Sequence, residues 1–194
     1  MPSSDLDTES SGSDIQSASA PSPAPADLPR LFERLFGCHR LLLMALFIST
    51  LLDLWRSPTL PEGAMSAPVT LQDGSSTDLA TLSQGKPLLV YYWASWCGVC
   101  RFTTPTVQQL WQEGENVLTV ALRSGSDDQL RAGMAKKGLA FPTHNDEQGA
   151  LAARWQVGVT PTFLIIKDGK LVSSTTGWSS WLGLKARLLW ASLR

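Results

Sequence analysis

The feature that most constrains the fold of this chain is an apolar run followed almost at once by a pair of cysteines. Residues 88–93 read Leu-Leu-Val-Tyr-Tyr-Trp, which is typical of a central strand buried on both faces. Cys97-Gly98-Val99-Cys100 begins after three further residues. Because apolar residues then recur at helical spacing, we predict a helix that begins near Cys97 and runs to about Trp111. A Cys-x-x-Cys motif between a strand and a helix indicates a redox pair.

The two cysteines of this motif are predicted to have different roles. At the N-terminus of a helix, the Cys97 sulfur would face unsatisfied backbone N–H groups, which favour the thiolate and make Cys97 the expected nucleophile. Cys100, one turn further, is expected to be buried and to resolve the mixed disulfide. Gly98 and Val99 shape the surroundings of the thiolate. The cation of Arg101 either favours the Cys97 thiolate as well or points to solvent.

Two other uses of the cysteine pair stay open at this level. A zinc site needs further ligands, and the only histidines in the sequence are His39 and His144, so copper(I), which tolerates low coordination, is the metal to consider. A structural disulfide that undergoes no exchange is the other alternative. The strand before the pair and the helix after it favour redox exchange. We therefore expect neither a bound metal nor any cofactor besides the redox-active disulfide.

The rest of the C-terminal two thirds predicts an α/β domain. Strands are expected at 116–122, 162–167 and 170–175, and helices at 127–137, 148–154 and 181–193. This order of elements describes a central mixed sheet with helices on both faces. Most of the seven tryptophans from Trp93 onward are expected in the core. Trp96, next to the first cysteine, is expected at the mouth of the site, where substrate contact and plain packing are both open.

The N-terminal third has a different character. Residues 1–29 contain five acids, no Lys or Arg, and many Ser, Pro and Ala, so we predict a disordered tail over residues 1–34. The 21 residues of the window 35–55, charge-free from Leu41 to Leu52, would extend about 31 Å as a helix. We predict a transmembrane anchor there, a tether at 56–65 and the folded domain at 66–194. A cleaved signal peptide and a buried core helix are the alternatives.

The charges around this apolar segment predict its orientation. Arg30, Arg34 and Arg40 precede its centre, whereas Arg56 alone follows closely. By the positive-inside rule the N-terminus lies in the cytoplasm and the domain after the anchor is exported. The formal net charge of −1 excludes a bulk electrostatic footprint for nucleic acid.

A second motif, Val159-Thr160-Pro161-Thr162 at the head of a predicted strand, completes a family pattern. From about Pro68 to Trp190 the sequence resembles the thioredoxin superfamily, specifically the membrane-anchored TlpA/ResA-like thiol:disulfide oxidoreductases of bacteria. The resemblance rests on the residues from Leu89 to Arg101, Pro105, the residues from Gly158 to Ile165, Asp168-Gly169 and Gly177. The anchor's end, the Val before the second cysteine and the Thr-Pro-Thr tripeptide look like the ScsD group, named for suppression of copper sensitivity.

The resemblance implies a thioredoxin-like fold, protein thiols and disulfides as substrates, a membrane or periplasmic redox partner, and an inner-membrane protein whose catalytic domain faces the periplasm. It implies that Pro161 is a cis-proline facing the cysteines and that Thr160 pairs with an extended substrate chain. An alternative with the same chemistry but a single class of substrate is a dedicated reductant in cytochrome c maturation. One departure concerns proton transfer, because Tyr91 stands where thioredoxin has a buried Asp.

Overall fold

The computed structural model describes residues 60–194 and, before them, five helical residues: Arg40, Leu43, Met44, Phe47 and Ile48. The chain divides into two units after residue 45, and the fold described below belongs to the second. The predicted tail, and all but these five residues of the predicted anchor, lie outside the described residues. Within the described part of the chain, no helix is both long enough and apolar enough to cross a membrane.

The folded domain contains seven strands and five helices in an alternating order. The strands are β1 (Val69–Thr70), β2 (Ser76–Thr77), β3 (Leu88–Trp93), β4 (Asn116–Leu122), β5 (Thr143–Asp146), β6 (Thr162–Lys167) and β7 (Lys170–Thr176). The helices are α1 (Leu79–Leu82), α2 (Cys100–Gln112), α3 (Asp127–Lys136), α4 (Ala150–Arg154) and α5 (Trp181–Ser192).

Five of the strands form the mixed sheet predicted from the sequence, in the order β5-β4-β3-β6-β7. β3 pairs in parallel with β4 and antiparallel with β6. Because β3 and β6 are antiparallel, the last residues of β3 lie beside the first residues of β6, and Tyr92 pairs with Thr162. The loop that carries the cysteines and the loop that carries Pro161 therefore meet at the same edge of the sheet.

Two apolar layers cover the faces of this sheet, and alternate residues of β3 contribute to each. Leu89, Tyr91 and Trp93 join a cluster that includes buried residues of α2, α3 and α5. Their neighbours in β3 point to the opposite cluster, where Trp155 and Ala64 are also buried. Ala64 belongs to the segment expected as a tether, so the packed part of the chain begins before Ser66.

The structure corrects two helix starts. The helix predicted to begin near Cys97 begins at Cys100, and residues 98–99 directly before it form a turn. The helix predicted from residue 148 begins at Ala150, because Gly149 has a left-handed conformation (φ 76°) that cannot continue a helix. The hairpin of β1 and β2, helix α1 and strand β5 were not predicted, since each has only two to four residues and shows no periodicity.

The expectation that most tryptophans lie in the core is wrong for three of them. Trp93 and Trp155 are buried, but Trp178, Trp181 and Trp190 are at least 38% exposed. The buried face of α5 consists of Leu184, Leu188 and Ala191, and Trp190 lies on the opposite side of the helix. Trp181 lies at the edge of the buried face, where its indole N–H donates to the Glu113 carboxylate at 3.1 Å. Trp178 lies in the loop between β7 and α5.

Candidate functional site

The cysteine pair lies between the end of β3 and the start of α2, and the two sulfurs form a disulfide with a Cα–Cα distance of 5.3 Å. Both residues are buried, Cys97 at 7% exposure and Cys100 at 2%. The backbone N–H of Cys100 donates to the Cys97 sulfur at 3.2 Å. After reduction the same N–H would stabilise negative charge on Cys97, which is the effect predicted from the sequence.

The loop before β6 brings Thr160 and Pro161 to the same place. The Thr160–Pro161 peptide bond is cis, as the family resemblance implied. The carbonyl oxygen of Thr160 lies 3.6 Å from the Cys97 sulfur. Gly177, at the end of β7, donates its N–H to the Pro161 carbonyl oxygen at 2.8 Å and thereby ties this loop to the sheet. Cys97 therefore faces a backbone segment that is held in place.

Trp96 is 63% exposed beside the cysteines, but its ring is held in place. Its indole N–H donates to the carbonyl oxygen of Arg123 at 3.1 Å. The adjacent Ser95 N–H donates to the Ser124 hydroxyl at 2.9 Å. These two hydrogen bonds connect the cysteine loop to the loop after β4, so Trp96 presents a fixed apolar surface at the mouth of the site.

Three further exposed apolar residues, not identified from the sequence, lie next to site residues in the chain. Phe102 follows Cys100 by two positions, Val159 precedes Thr160, and Trp178 follows Gly177; their exposed fractions are 72%, 46% and 66%. Val99, within the motif, is exposed as well. Large exposed apolar side chains around a reactive pair are typical of surfaces that bind other proteins. The sequence signal for them was weak, because an exposed position in a helix or loop is not visible from periodicity alone.

A pocket of about 380 Å³ opens beside the pair. Its walls are mostly apolar and include both cysteines. The lining residues are Trp93, Ala94, Ser95, Cys97, Cys100, Arg101, Thr104, Pro105, Lys137 and Leu139. Arg101 thus lines the pocket at the cysteines, although its side chain is largely exposed. Lys137, from the turn after α3, supplies a second cation that sequence analysis did not identify.

Tyr91 occupies the core directly below α2. Its hydroxyl lies 2.9 Å from the hydroxyl oxygens of both Thr103 and Thr104. Burial raises the pKa of the Tyr91 phenol above its ordinary value. The two hydrogen bonds lower this pKa, but their effect is smaller than that of burial. Tyr91 is therefore neutral in the neutral pH range.

The described residues offer no ready set of metal ligands. No group of three or more His, Cys, Asp or Glu side chains that could hold a metal ion occurs among them. Cys97 and Cys100 are bonded to each other.

Comparison with known proteins places this geometry in a family. The family model for Redoxin matches residues 59–181. A thioredoxin-like protein of Haemophilus influenzae is 42% identical over 153 residues, which cover 78% of this chain and 90% of that protein.

Solved structures agree with this match. A secreted disulfide oxidoreductase of Mycobacterium tuberculosis, described as homologous to E. coli DsbE, superposes with a TM-score of 0.56 at 25% identity, over 66% of this chain and 98% of the other. An exposed lipoprotein thioredoxin of Streptococcus pneumoniae superposes with a TM-score of 0.54 at 26% identity, over 63% of this chain and 97% of the other. Both likenesses cover nearly the whole of the known structure.

Proposed function

The chain belongs to the Redoxin family of thioredoxin-like disulfide oxidoreductases, and on that premise we propose that it is a membrane-anchored enzyme that exchanges disulfides with protein substrates in the periplasm. The observation that carries the proposal is the Cys97–Cys100 disulfide, with the Thr160 carbonyl oxygen 3.6 Å from the Cys97 sulfur. Cys97 is the cysteine that an extended substrate chain lying along Thr160 would reach.

The reaction begins at Cys97 in the reduced enzyme. Its thiolate, stabilised by the Cys100 N–H, attacks one sulfur of a substrate disulfide. A bond forms between Cys97 and that sulfur, and the substrate S–S bond breaks. The departing sulfur takes the electron pair and then a proton from water. Trp96, held by its hydrogen bond to Arg123, forms an apolar wall against which the substrate chain packs.

Cys100 completes the turnover. Its thiolate attacks the Cys97 sulfur, the bond between Cys97 and the substrate breaks, and the enzyme disulfide forms. Two electrons have then passed from the cysteine pair to the substrate. The same steps in reverse oxidise a substrate dithiol.

The proposed location rests on the sequence and on the relatives. Three arginines before the charge-free run 41–52, against one closely after it, support a cytoplasmic N-terminus and export of the domain. The M. tuberculosis relative is described as secreted, and the S. pneumoniae relative as an exposed lipoprotein. The short anchor and the Val99 and Thr160-Pro161-Thr162 residues support placement in the ScsD group of anchored oxidoreductases.

Insulin is a direct probe of the proposed activity. We expect the full chain, purified in detergent, to accelerate the reduction of insulin by dithiothreitol, because the cysteine pair passes electrons to disulfides faster than a small thiol does. Turbidity from the precipitating B chain measures the rate. The matched control is the same protein with its reduced cysteines alkylated beforehand. A rate equal to that of dithiothreitol alone would contradict the proposed function.

The proposed topology is tested with protease in the expressing bacterium. Proteinase K should digest the domain in spheroplasts, where the periplasm is open, and should leave it intact in whole cells. A cytoplasmic protein, followed on the same blot, shows that the inner membrane is intact. A domain that resists digestion until the inner membrane is lysed would contradict export.

A further inference from the structure

Cys100 has to lose its proton before it can resolve the mixed disulfide, because the thiolate and not the thiol attacks a disulfide. Cys100 is only 2% exposed, so a proton acceptor must come from a neighbouring side chain or enter from outside. The groups that surround this thiol therefore decide how the second step of the reaction proceeds.

The polar neighbours below Cys100 form a hydroxyl cluster of Tyr91, Thr103 and Thr104. Tyr91 contacts the two threonine hydroxyls at 2.9 Å each, and Thr103 donates to the Cys100 carbonyl oxygen at 3.4 Å. Each of the three hydroxyl protons is then donated in a hydrogen bond: two of these bonds lie within the cluster and the third goes to the Cys100 carbonyl oxygen. Hydroxyl groups of this kind are neutral, and burial raises the pKa of the Tyr91 phenol further. The cluster holds no base for the neutral pH range.

The charged and titratable groups on the other sides of Cys100 are no better as acceptors. The loop before α2 contributes Cys97, α2 itself contributes Arg101, and the turn after α3 contributes Lys137. The cationic side chains of Arg101 and Lys137 have no acceptor atom. β6 and α5 contribute apolar side chains to the same core cluster, including Phe163 and Leu184. Among the described residues that line the pocket at Cys100, none is a carboxylate or an imidazole.

The pocket beside the pair offers the remaining route. Its walls include both Cys100 and Thr104, and its volume of about 380 Å³ is enough for several water molecules. Thr104 lies one helical turn after Cys100, so the two side chains lie on the same face of α2. The pocket therefore connects the buried thiol to solvent, and Thr104 forms part of its wall beside Cys100.

We propose that Cys100 transfers its proton directly to water or hydroxide that enters through this pocket, without an internal base. This inference rests on the proposed function. In the step, the Cys100 S–H bond breaks and its proton passes to the entering water or hydroxide. The electron pair left on the sulfur forms the bond to Cys97, and the substrate sulfur leaves with the electron pair of the bond that breaks. Thr104 lines the same pocket one turn after Cys100, so it is the position at which a base can be introduced as a test.

The test follows the second step alone, with 5,5′-dithiobis(2-nitrobenzoate) as the probe. The full chain carries Cys38→Ser so that only the pair reacts. Reduced protein in excess releases one coloured thiolate when Cys97 attacks and a second when Cys100 resolves the adduct. Without an internal base, the rate constant of the second release should rise about tenfold per pH unit between pH 6 and pH 8, as the thiolate fraction does.

Thr104→Asp and Thr104→Asn form the matched pair of variants. The two side chains have nearly the same shape and volume, and only the first places a base in the pocket. An internal general base contributes about a hundredfold or more. We therefore expect Thr104→Asp to exceed Thr104→Asn about a hundredfold in the second release at pH 6. Its pH profile should level off, whereas Thr104→Asn should keep the steep profile of the parent.

The outcomes separate the inference from the function on which it rests. A second release that is independent of pH in the parent, or equal rates for Thr104→Asp and Thr104→Asn at pH 6, would overturn the inference and leave the exchange activity intact. A first release that persists at the parental rate in Cys97→Ser would instead overturn the assigned nucleophile and with it the proposed function. The proposal would be supported if the rate constant of the second release rises steeply with pH in the parent and in Thr104→Asn, and is higher and nearly independent of pH in Thr104→Asp.

Discussion

Cys97→Ser should abolish disulfide exchange, lowering the catalysed part of the insulin-reduction rate by about a thousandfold or more, so that only the rate of dithiothreitol alone is left. A serine hydroxyl at this position cannot form a disulfide, so the first bond to the substrate is never made. The Cys97 sulfur is the one that receives the Cys100 N–H and lies beside Thr160. Loss of Cys97 therefore removes the group that the geometry presents to a substrate.

Cys100→Ser should also lose turnover, but unlike Cys97→Ser it should trap the covalent intermediate. Cys97 still attacks, but nothing resolves the adduct, and mixed disulfides with substrate proteins accumulate. They should be seen as reductant-sensitive bands on non-reducing gels after quenching with N-ethylmaleimide. Cys38→Ser, in the segment before the domain, should keep the parental insulin-reduction rate. Mixed disulfides that accumulate in Cys97→Ser, and not in Cys100→Ser, would show that the two roles are reversed.

The parts of the site that the sequence predicts are those whose signal is local. Cys97, Cys100 and Pro161 each stand in a short motif at the end or start of a long strand, and the antiparallel pairing of β3 with β6 brings the motifs together. The pocket and Lys137 could not be predicted in this way. Lys137 is far from the cysteines in the chain, and its contribution depends on how α3 packs against the start of α2.

The fold shows the same division between long and short elements. β3, β4 and β6 have six or seven residues with continuous apolar runs, and their bounds agree with those predicted. β5 has four largely polar residues and forms only because β4 offers it a free edge. The start of α2 at Cys100 follows a turn at residues 98–99, and the periodicity of apolar residues does not fix a helix end to the residue.

Trp155→Ala should cause the largest loss of stability among the tryptophan substitutions. Trp155 is fully buried in the cluster on the sheet face opposite α2, where its ring meets Tyr92 edge-on with centroids 5.8 Å apart. Removal of a buried aromatic side chain costs about 3–5 kcal/mol, from the lost transfer free energy and the cavity left behind. At roughly 3 °C per kcal/mol, the melting temperature should fall by about 10 °C or more.

Trp178→Ala is the matched control, since it makes the same chemical change at a side chain that is 66% exposed. Its cost should lie within about 0.5 kcal/mol, because little packing is lost at the surface. Thermal unfolding of the full chain, followed by far-ultraviolet circular dichroism, compares the two variants. Equal shifts would mean that the cluster around Trp155 does not stabilise the domain. A large shift for Trp155→Ala alone would show that the cluster on the sheet face away from the cysteines stabilises the sheet in which β3 and β6 pair.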